Sequence, residues 1–70
     1  MATDTLVDAL PKEMARVREV LGHYKALGNP AGIFGAMMIE KSLQKAGWAV
    51  VSGDVVAMIA AYKDLQTIED

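Results

Sequence analysis

Three glycines and a Lys-Ser pair stand close together in the stretch GNPAGIFGAMMIEKSL, residues 28–43, and such residues can bind phosphate. A P-loop needs the spacing G-x-x-x-x-G-K-[ST] after a strand, because its backbone N–H groups cradle the phosphates. Here Gly28, Gly32 and Gly35 have a different spacing, and Lys41 follows the last of them by six residues. The G-x-G-x-x-G spacing of a dinucleotide-binding turn is also missing. The glycines therefore indicate a boundary between two helices, where Gly32 and Gly35 allow close helix packing.

A helix that begins after Gly28 offers a different way to hold an anion. The first N–H groups of a helix have no partner within it and attract negative charge. The residues placed to form such a site are Asn29, Ala31, Gly32 and Lys25, with Lys41 nearby. A small-molecule or nucleotide-binding module is therefore the alternative function.

The residue types give little support for a catalytic site or a metal site. The chain has one histidine and no cysteine, so it cannot build a structural zinc site or a disulfide. His23 has no nucleophile or orienting group near it in the sequence. No pair of carboxylates indicates an acid–base site. We therefore expect a non-enzymatic protein with no cofactor and no bound metal.

Length and charge limit the remaining classes of function. The chain has 70 residues and a net charge of −2, so we expect one domain, residues 1–70, with no attraction to nucleic acid. No apolar run approaches the ~20 residues of a membrane span. The start, MATDTLVDALPKE, lacks the basic region of a secretory signal. These features predict a cytoplasmic protein that binds neither nucleic acid nor membrane.

The first helix is predicted over residues 8–27. Asp8 is a candidate N-cap, which would place Pro11 in the first turn, where its missing N–H costs nothing. A helical turn before Asp8 is the alternative, and Pro11 would then lie inside a longer helix. Gly28 is the expected end. Apolar residues recur at helical spacing in this segment: Leu10, Met14, Val17, Val20 or Leu21, Tyr24 and Leu27.

The second helix is predicted over residues 30–51, with Asn29 as N-cap and Pro30 at its first position. A break at Gly47 is the alternative, because glycine lowers helix stability by about 1 kcal/mol relative to alanine. Its expected inner face is Gly35, Ala36, Ile39, Leu43, Ala46 and Val50.

The third helix is predicted over residues 54–67, with Ser52 or Asp54 as its cap. Its expected core face is Val55, Met58, Ile59, Tyr62 and Leu65. Residues 1–5 and 68–70 are expected to fray. Three helices with short loops predict an all-α, bundle-like domain without a β-sheet.

The first half of the second helix is apolar on nearly every side, which is typical of a helix that is buried from two directions. A chain with two other helices can cover part of this surface but not all of it. We therefore expect self-association or binding of another protein there. The candidate interface residues are Ile33, Phe34, Met37, Met38, Lys41 and Trp48, of which Phe34, Lys41 and Trp48 repeat every seven residues.

Two resemblances accompany these patterns. Residues 41–65, KSLQKAGWAVVSGDVVAMIAAYKDL, resemble one tetratricopeptide-type helical hairpin, although no second copy follows. The segments LPKEMARVREVLGHYK, PAGIFGAMMIEKSL and SGDVVAMIAAYKDL are similar to short bacterial, prophage-associated proteins of unknown function. That resemblance implies a phage-type accessory factor or an inhibitor of a host protein, and it implies no site residues.

Overall fold

The computed structural model describes residues 5–69, which form three α-helices. The helices are α1, Leu6–Leu27; α2, Pro30–Ser52; and α3, Val55–Gln66. The predicted all-α, three-helix domain is confirmed, and residues 5–69 contain no strand. The fraying expected at residues 1–4 and at Asp70 lies outside the described residues.

The beginning of α1 differs from the prediction by two residues. Thr5, not Asp8, is the N-cap, and Asp8 lies in the first turn. The Asp8 N–H donates to the Thr5 hydroxyl oxygen over 3.3 Å, and that hydroxyl donates to the Asp8 carboxylate over 3.0 Å. The Thr5 side chain thus satisfies a first-turn amide, and the helix begins at Leu6, before Asp8. Pro11 consequently lies inside α1 and not in its first turn.

The turn between α1 and α2 follows the predicted chemistry. Gly28 has a φ of 67°, the left-handed conformation that glycine adopts most easily at a helix end. The side chain of Asn29 accepts the Gly32 N–H over 2.7 Å, and Pro30 is the first residue of α2. The helix then continues through Gly47 without a break. Asp54 caps α3 by accepting the Ala57 N–H over 3.2 Å.

Close contact between α1 and α2 depends on two glycines. A Cβ atom added at Gly32 would lie 2.8 Å from the carbonyl oxygen of Tyr24 and 2.9 Å from Cβ of Leu27. A Cβ at Gly35 would lie 2.5 Å from the ring of Tyr24. The last two turns of α1 therefore fit against α2 only because these positions carry no side chain, as predicted.

The core lies between all three helices. Its buried members are Leu10, Met14, Val17 and Val20 from α1; Ile39, Ala46 and Ala49 from α2; and Met58, Ala61 and Leu65 from α3. Two further hydrogen bonds connect α1 to the end of α3 and to the residues that follow α3. Arg16 donates to the carbonyl oxygen of Leu65 over 2.9 Å, and the Tyr24 hydroxyl donates to that of Glu69 over 3.3 Å.

Four residues predicted to face the core are exposed. Val50 is 41% exposed, and Ala49 takes its place, because the second half of α2 turns its buried side toward α3. Val55 and Ile59 are exposed while Ala61 is buried, since α3 is apolar on most sides and its pattern does not define one face. Leu27 is exposed at the end of α1.

The three helices form a flat particle, with principal extents of 42 × 27 × 16 Å. The helices α1 and α2 have 22 and 23 residues, whereas α3 has 12. Because α3 is about half as long as its neighbours, it covers one side of the α1–α2 pair and leaves the outward side of α2 open. None of the helices within residues 5–69 is long and apolar enough to cross a membrane.

Candidate functional site: the outer face of α2

The side of α2 that faces the core is made mostly of small residues. Its buried positions are Gly32, Ala36, Ile39, Ala46 and Ala49. Ile39 and Leu43 are the large apolar residues that pack on the core side. Six other large apolar side chains of the same helix point away from the core: Ile33, Phe34, Met37, Met38, Trp48 and Val51. We call these six residues the outer α2 face. A helix that served only its own core would bury its large side chains, so this distribution is the reverse of the ordinary one.

The outer α2 face is exposed along its whole length. Phe34 is 66% exposed, Met37 62%, Trp48 74% and Val51 80%. Single exposed apolar residues are normal on protein surfaces, but contiguous patches mark interaction sites. Four of the six residues occupy consecutive turns at the beginning of α2, so the patch is contiguous there. All the residues predicted for an interface, including Lys41, lie on the protein surface.

A groove of about 550 Å³ between α2 and α3 borders this face. Met38, Lys41 and Trp48 line it together with the small side chains of Ala57 and Ala60. The structure thus brings three of the predicted interface residues to one groove. Sequence reasoning missed the contribution of α3, although small residues at positions 57, 60 and 61 have the helical spacing that would have indicated it.

Three charged side chains also line the groove: Lys41, Lys45 and Asp64. In the part of the chain that the structure describes, none of the three forms an ion pair. The two lysines follow each other at a spacing of four residues, so they lie one helical turn apart. An incoming helix would therefore meet an apolar surface beside a groove that carries two lysines and one aspartate.

The alternative anion site is largely occupied by contacts within the chain. Gly32 donates its N–H to the Asn29 side chain, and the Ile33 N–H donates to the Asn29 carbonyl oxygen over 3.0 Å. Pro30 has no N–H to offer. The Lys25 ammonium lies 3.4 Å from the carboxylate of Glu40, to which it is paired. Ala31 is exposed in this turn. An anion bound here would find few unoccupied N–H donors, and the ammonium group of Lys25 is already paired with Glu40.

The titratable groups do not converge. Glu13 accepts hydrogen bonds of 3.0 and 2.8 Å from Arg16, and these bonds lower its pKa from the usual 4.5, although burial opposes the shift. Since Arg16 also donates to the end of α3, this pair serves helix packing. Among residues 5–69, no group of three or more histidine, cysteine or acidic residues could hold a metal ion.

The outer α2 face is thus the most distinctive surface of the molecule. Its own side chains are apolar, and the groove beside it carries Lys41, Lys45 and Asp64. Nothing in it resembles a cluster of reacting groups. Comparison of the chain with protein-family models, with curated proteins and with solved structures found no match.

Proposed function

We propose that this chain is a small non-enzymatic interaction protein that associates with a second copy of itself through the outer α2 face. The observation that carries the proposal is the distribution of side chains on α2, with small residues inward and large apolar residues outward. Exposed Phe34 and Trp48 have the chemistry of interface anchors, since aromatic residues dominate the binding energy of protein interfaces.

A 70-residue chain also has a physical reason to associate. Domains of this size bury about 60% of the surface that the unfolded chain exposes, which is less than larger domains bury, and those without disulfides or metals commonly use oligomerisation to add buried apolar area. The chain has no cysteine. Covering the outer α2 face would extend the core of each copy onto a surface that α1 and α3 leave open.

The test is the mass of the protein in solution, measured by size-exclusion chromatography with light scattering over a concentration series from about 1 to 500 µM. We expect the wild-type protein to exceed the monomer mass in this range. The variant Phe34→Glu should be a monomer throughout, because association would bury an unpaired carboxylate.

The matched control is Val56→Glu, which places the same charge on an apolar residue of α3 that is 77% exposed, against 66% for Phe34. It should associate like the wild type, and circular dichroism should show all three proteins folded. A wild-type protein that remains a monomer at the highest concentration would contradict the proposal. An associated Phe34→Glu variant would also contradict it.

A further inference from the structure

The outer surface of α2 carries a heptad pattern. Six exposed positions are separated alternately by three and four residues, and we call them the outer seam: Phe34, Met37, Lys41, Gln44, Trp48 and Val51. This is the spacing of the a and d positions of a coiled coil, where one helix packs along another at about 20°. The seam extends for about 25 Å.

The outer seam is complementary to itself when two copies run in opposite directions. For a two-fold axis that passes beside the Ser42–Leu43 peptide, Phe34 lies opposite Val51 of the second copy. In the same register Met37 lies opposite Trp48. The polar positions then meet each other, because Lys41 lies opposite Gln44. Every apolar residue of the seam consequently faces an apolar residue.

In the parallel arrangement the apolar residues also face apolar residues, but the polar positions do not complement each other. Each residue would then lie opposite its own copy, so two Lys41 ammonium groups would meet at the centre of the interface. Like charges placed together in an interface are strongly unfavourable, and a polar residue at one a position is known to select the register of coiled coils. In the antiparallel register Lys41 instead has the side-chain oxygen of Gln44 as an acceptor.

The surroundings of the seam accommodate a second helix. Ala57 and Ala60 of α3 border the groove beside Lys41 and Trp48, and their small side chains leave room for residues that flank the second α2. A two-fold interface also repeats each contact, so the two aromatic residues of each seam, Phe34 and Trp48, place four aromatic side chains in the interface. Each such ring buries about 150–250 Å² when covered.

We propose that two copies of this chain form an antiparallel, two-fold symmetric dimer in which the outer seams pair in this register. This inference rests on the proposed function, since it requires that the outer α2 face binds a second copy. This register assigns a specific neighbour to Lys41, whereas apolar contact alone would not.

The test changes the charges of the two polar positions, both of which are exposed and outside the core. In Gln44→Lys, Lys41 meets a lysine of the second copy at two symmetric places, and the dimer should dissociate about tenfold or more readily. In the double variant Lys41→Glu/Gln44→Lys, each glutamate meets a lysine, and the affinity should return to the wild-type value or exceed it. Sedimentation equilibrium gives the three dissociation constants.

The double variant separates the possible arrangements. In a parallel dimer it places glutamate opposite glutamate and lysine opposite lysine, which is two like-charge pairs, as in Gln44→Lys alone, so the affinity should stay below the wild-type value. Failure of the double variant to recover affinity, with a wild-type dimer that Phe34→Glu still disrupts, would overturn the register and leave the proposed function intact. A monomeric wild type would overturn both.

Cysteine cross-linking provides an independent geometric test in this cysteine-free chain. An equimolar mixture of Met37→Cys and Trp48→Cys proteins should oxidise to a mixed dimer, since the two positions lie opposite each other. Met37→Cys alone should not cross-link, because its two sulfur-bearing positions are about 16 Å apart along the helices. Rapid cross-linking of Met37→Cys alone would contradict the antiparallel arrangement.

Discussion

At the scale of single residues, the glycines of α1 and α2 have unequal roles. Gly32 lies against the backbone of Tyr24, whereas an added Cβ at Gly22 has no atom within 4 Å. Gly22 lies inside α1, where alanine gains an intrinsic preference of about 1 kcal/mol, whereas Gly32 lies in the first turn of α2. An added Cβ at Gly32 would also lie 3.3 Å from the side-chain oxygen of Asn29, so the difference between the two substitutions reports the close helix contact together with the cap.

We predict that Gly32→Ala destabilises the protein by about 1–3 kcal/mol, because a backbone carbonyl cannot move aside as a flexible side chain can. Gly22→Ala should stabilise it by up to about 1 kcal/mol. Urea unfolding followed by circular dichroism measures both values. Equal stability of the two variants would contradict the contact seen between α1 and α2.

The Glu13–Arg16 pair gives a prediction about pH. The pKa of Glu13 is lower in the folded protein than in the unfolded chain, where it is near 4.5. The ionised carboxylate therefore stabilises the fold at pH values above 4.5. This stabilisation is lost as the pH falls through the folded-state pKa. Glu13→Gln should reduce the free energy of unfolding by about 0.5–1 kcal/mol at pH 7. The difference from wild type should shrink below about pH 4.5. Urea titrations at pH 7 and pH 3 test this, and a difference that grows on acidification would contradict it.

At the scale of helices, Tyr24 is the main element of contact between α1 and the first turns of α2. Its ring covers Gly35, and its hydroxyl reaches the carbonyl oxygen of Glu69 beyond α3. One side chain thus joins all three parts of the fold. The orientation of α2, and therefore the direction of its outer face, depends on this contact.

A double-mutant cycle measures that dependence. Gly35→Ala should destabilise the wild-type protein, because its Cβ overlaps the Tyr24 ring. In a Tyr24→Ala background the same change should be neutral or stabilising, with a coupling energy of about 1–3 kcal/mol. Added trimethylamine N-oxide keeps the weaker variants folded during the unfolding experiment. Additive effects would show that the ring moves aside without cost.

The helix boundaries could be predicted from the sequence where local chemistry decides them. Gly28, Asn29 and Pro30 each have one favourable role at a helix end, and the structure confirms all three. Of the two candidate caps of the third helix, Asp54 is the cap and Ser52 is the last residue of α2.

The N-cap of α1 is Thr5 and not the predicted Asp8, and the alternative of a helical turn before Asp8, with Pro11 inside a longer helix, is the one that the structure has. A threonine three residues before an acidic residue is a known signal for the beginning of a helix.

The buried faces were harder to predict than the boundaries. Val50, Val55 and Ile59 are as apolar as the residues that replace them in the core, so periodicity alone could not choose between adjacent positions. The choice depends on how the helices pack, and there small residues such as Ala49 and Ala61 permit a closer approach than valine or isoleucine. The exposure of the interface residues could be predicted, because α2 has more large apolar side chains than two neighbouring helices can cover.

At the scale of the whole molecule, folding and association use separate surfaces. The core between the helices contains none of the outer seam residues, and the seam contains no core residue. Substitutions at Phe34, Lys41 or Gln44 should therefore change the dissociation constant while leaving the helical content unchanged. Because of this separation, a change in the dissociation constant after the charge exchange at the seam can be attributed to the interface and not to the fold.

The position of Trp48 has an optical consequence. It is the sole tryptophan of the chain and is 74% exposed. Its indole ring is solvated in the folded monomer almost as in an unfolded chain, so its emission wavelength should change little on unfolding. Pairing of the seams would place the ring against Met37 of the second copy and shift its emission to the blue. One chromophore thus reports association, while the far-ultraviolet signal of the peptide groups reports folding.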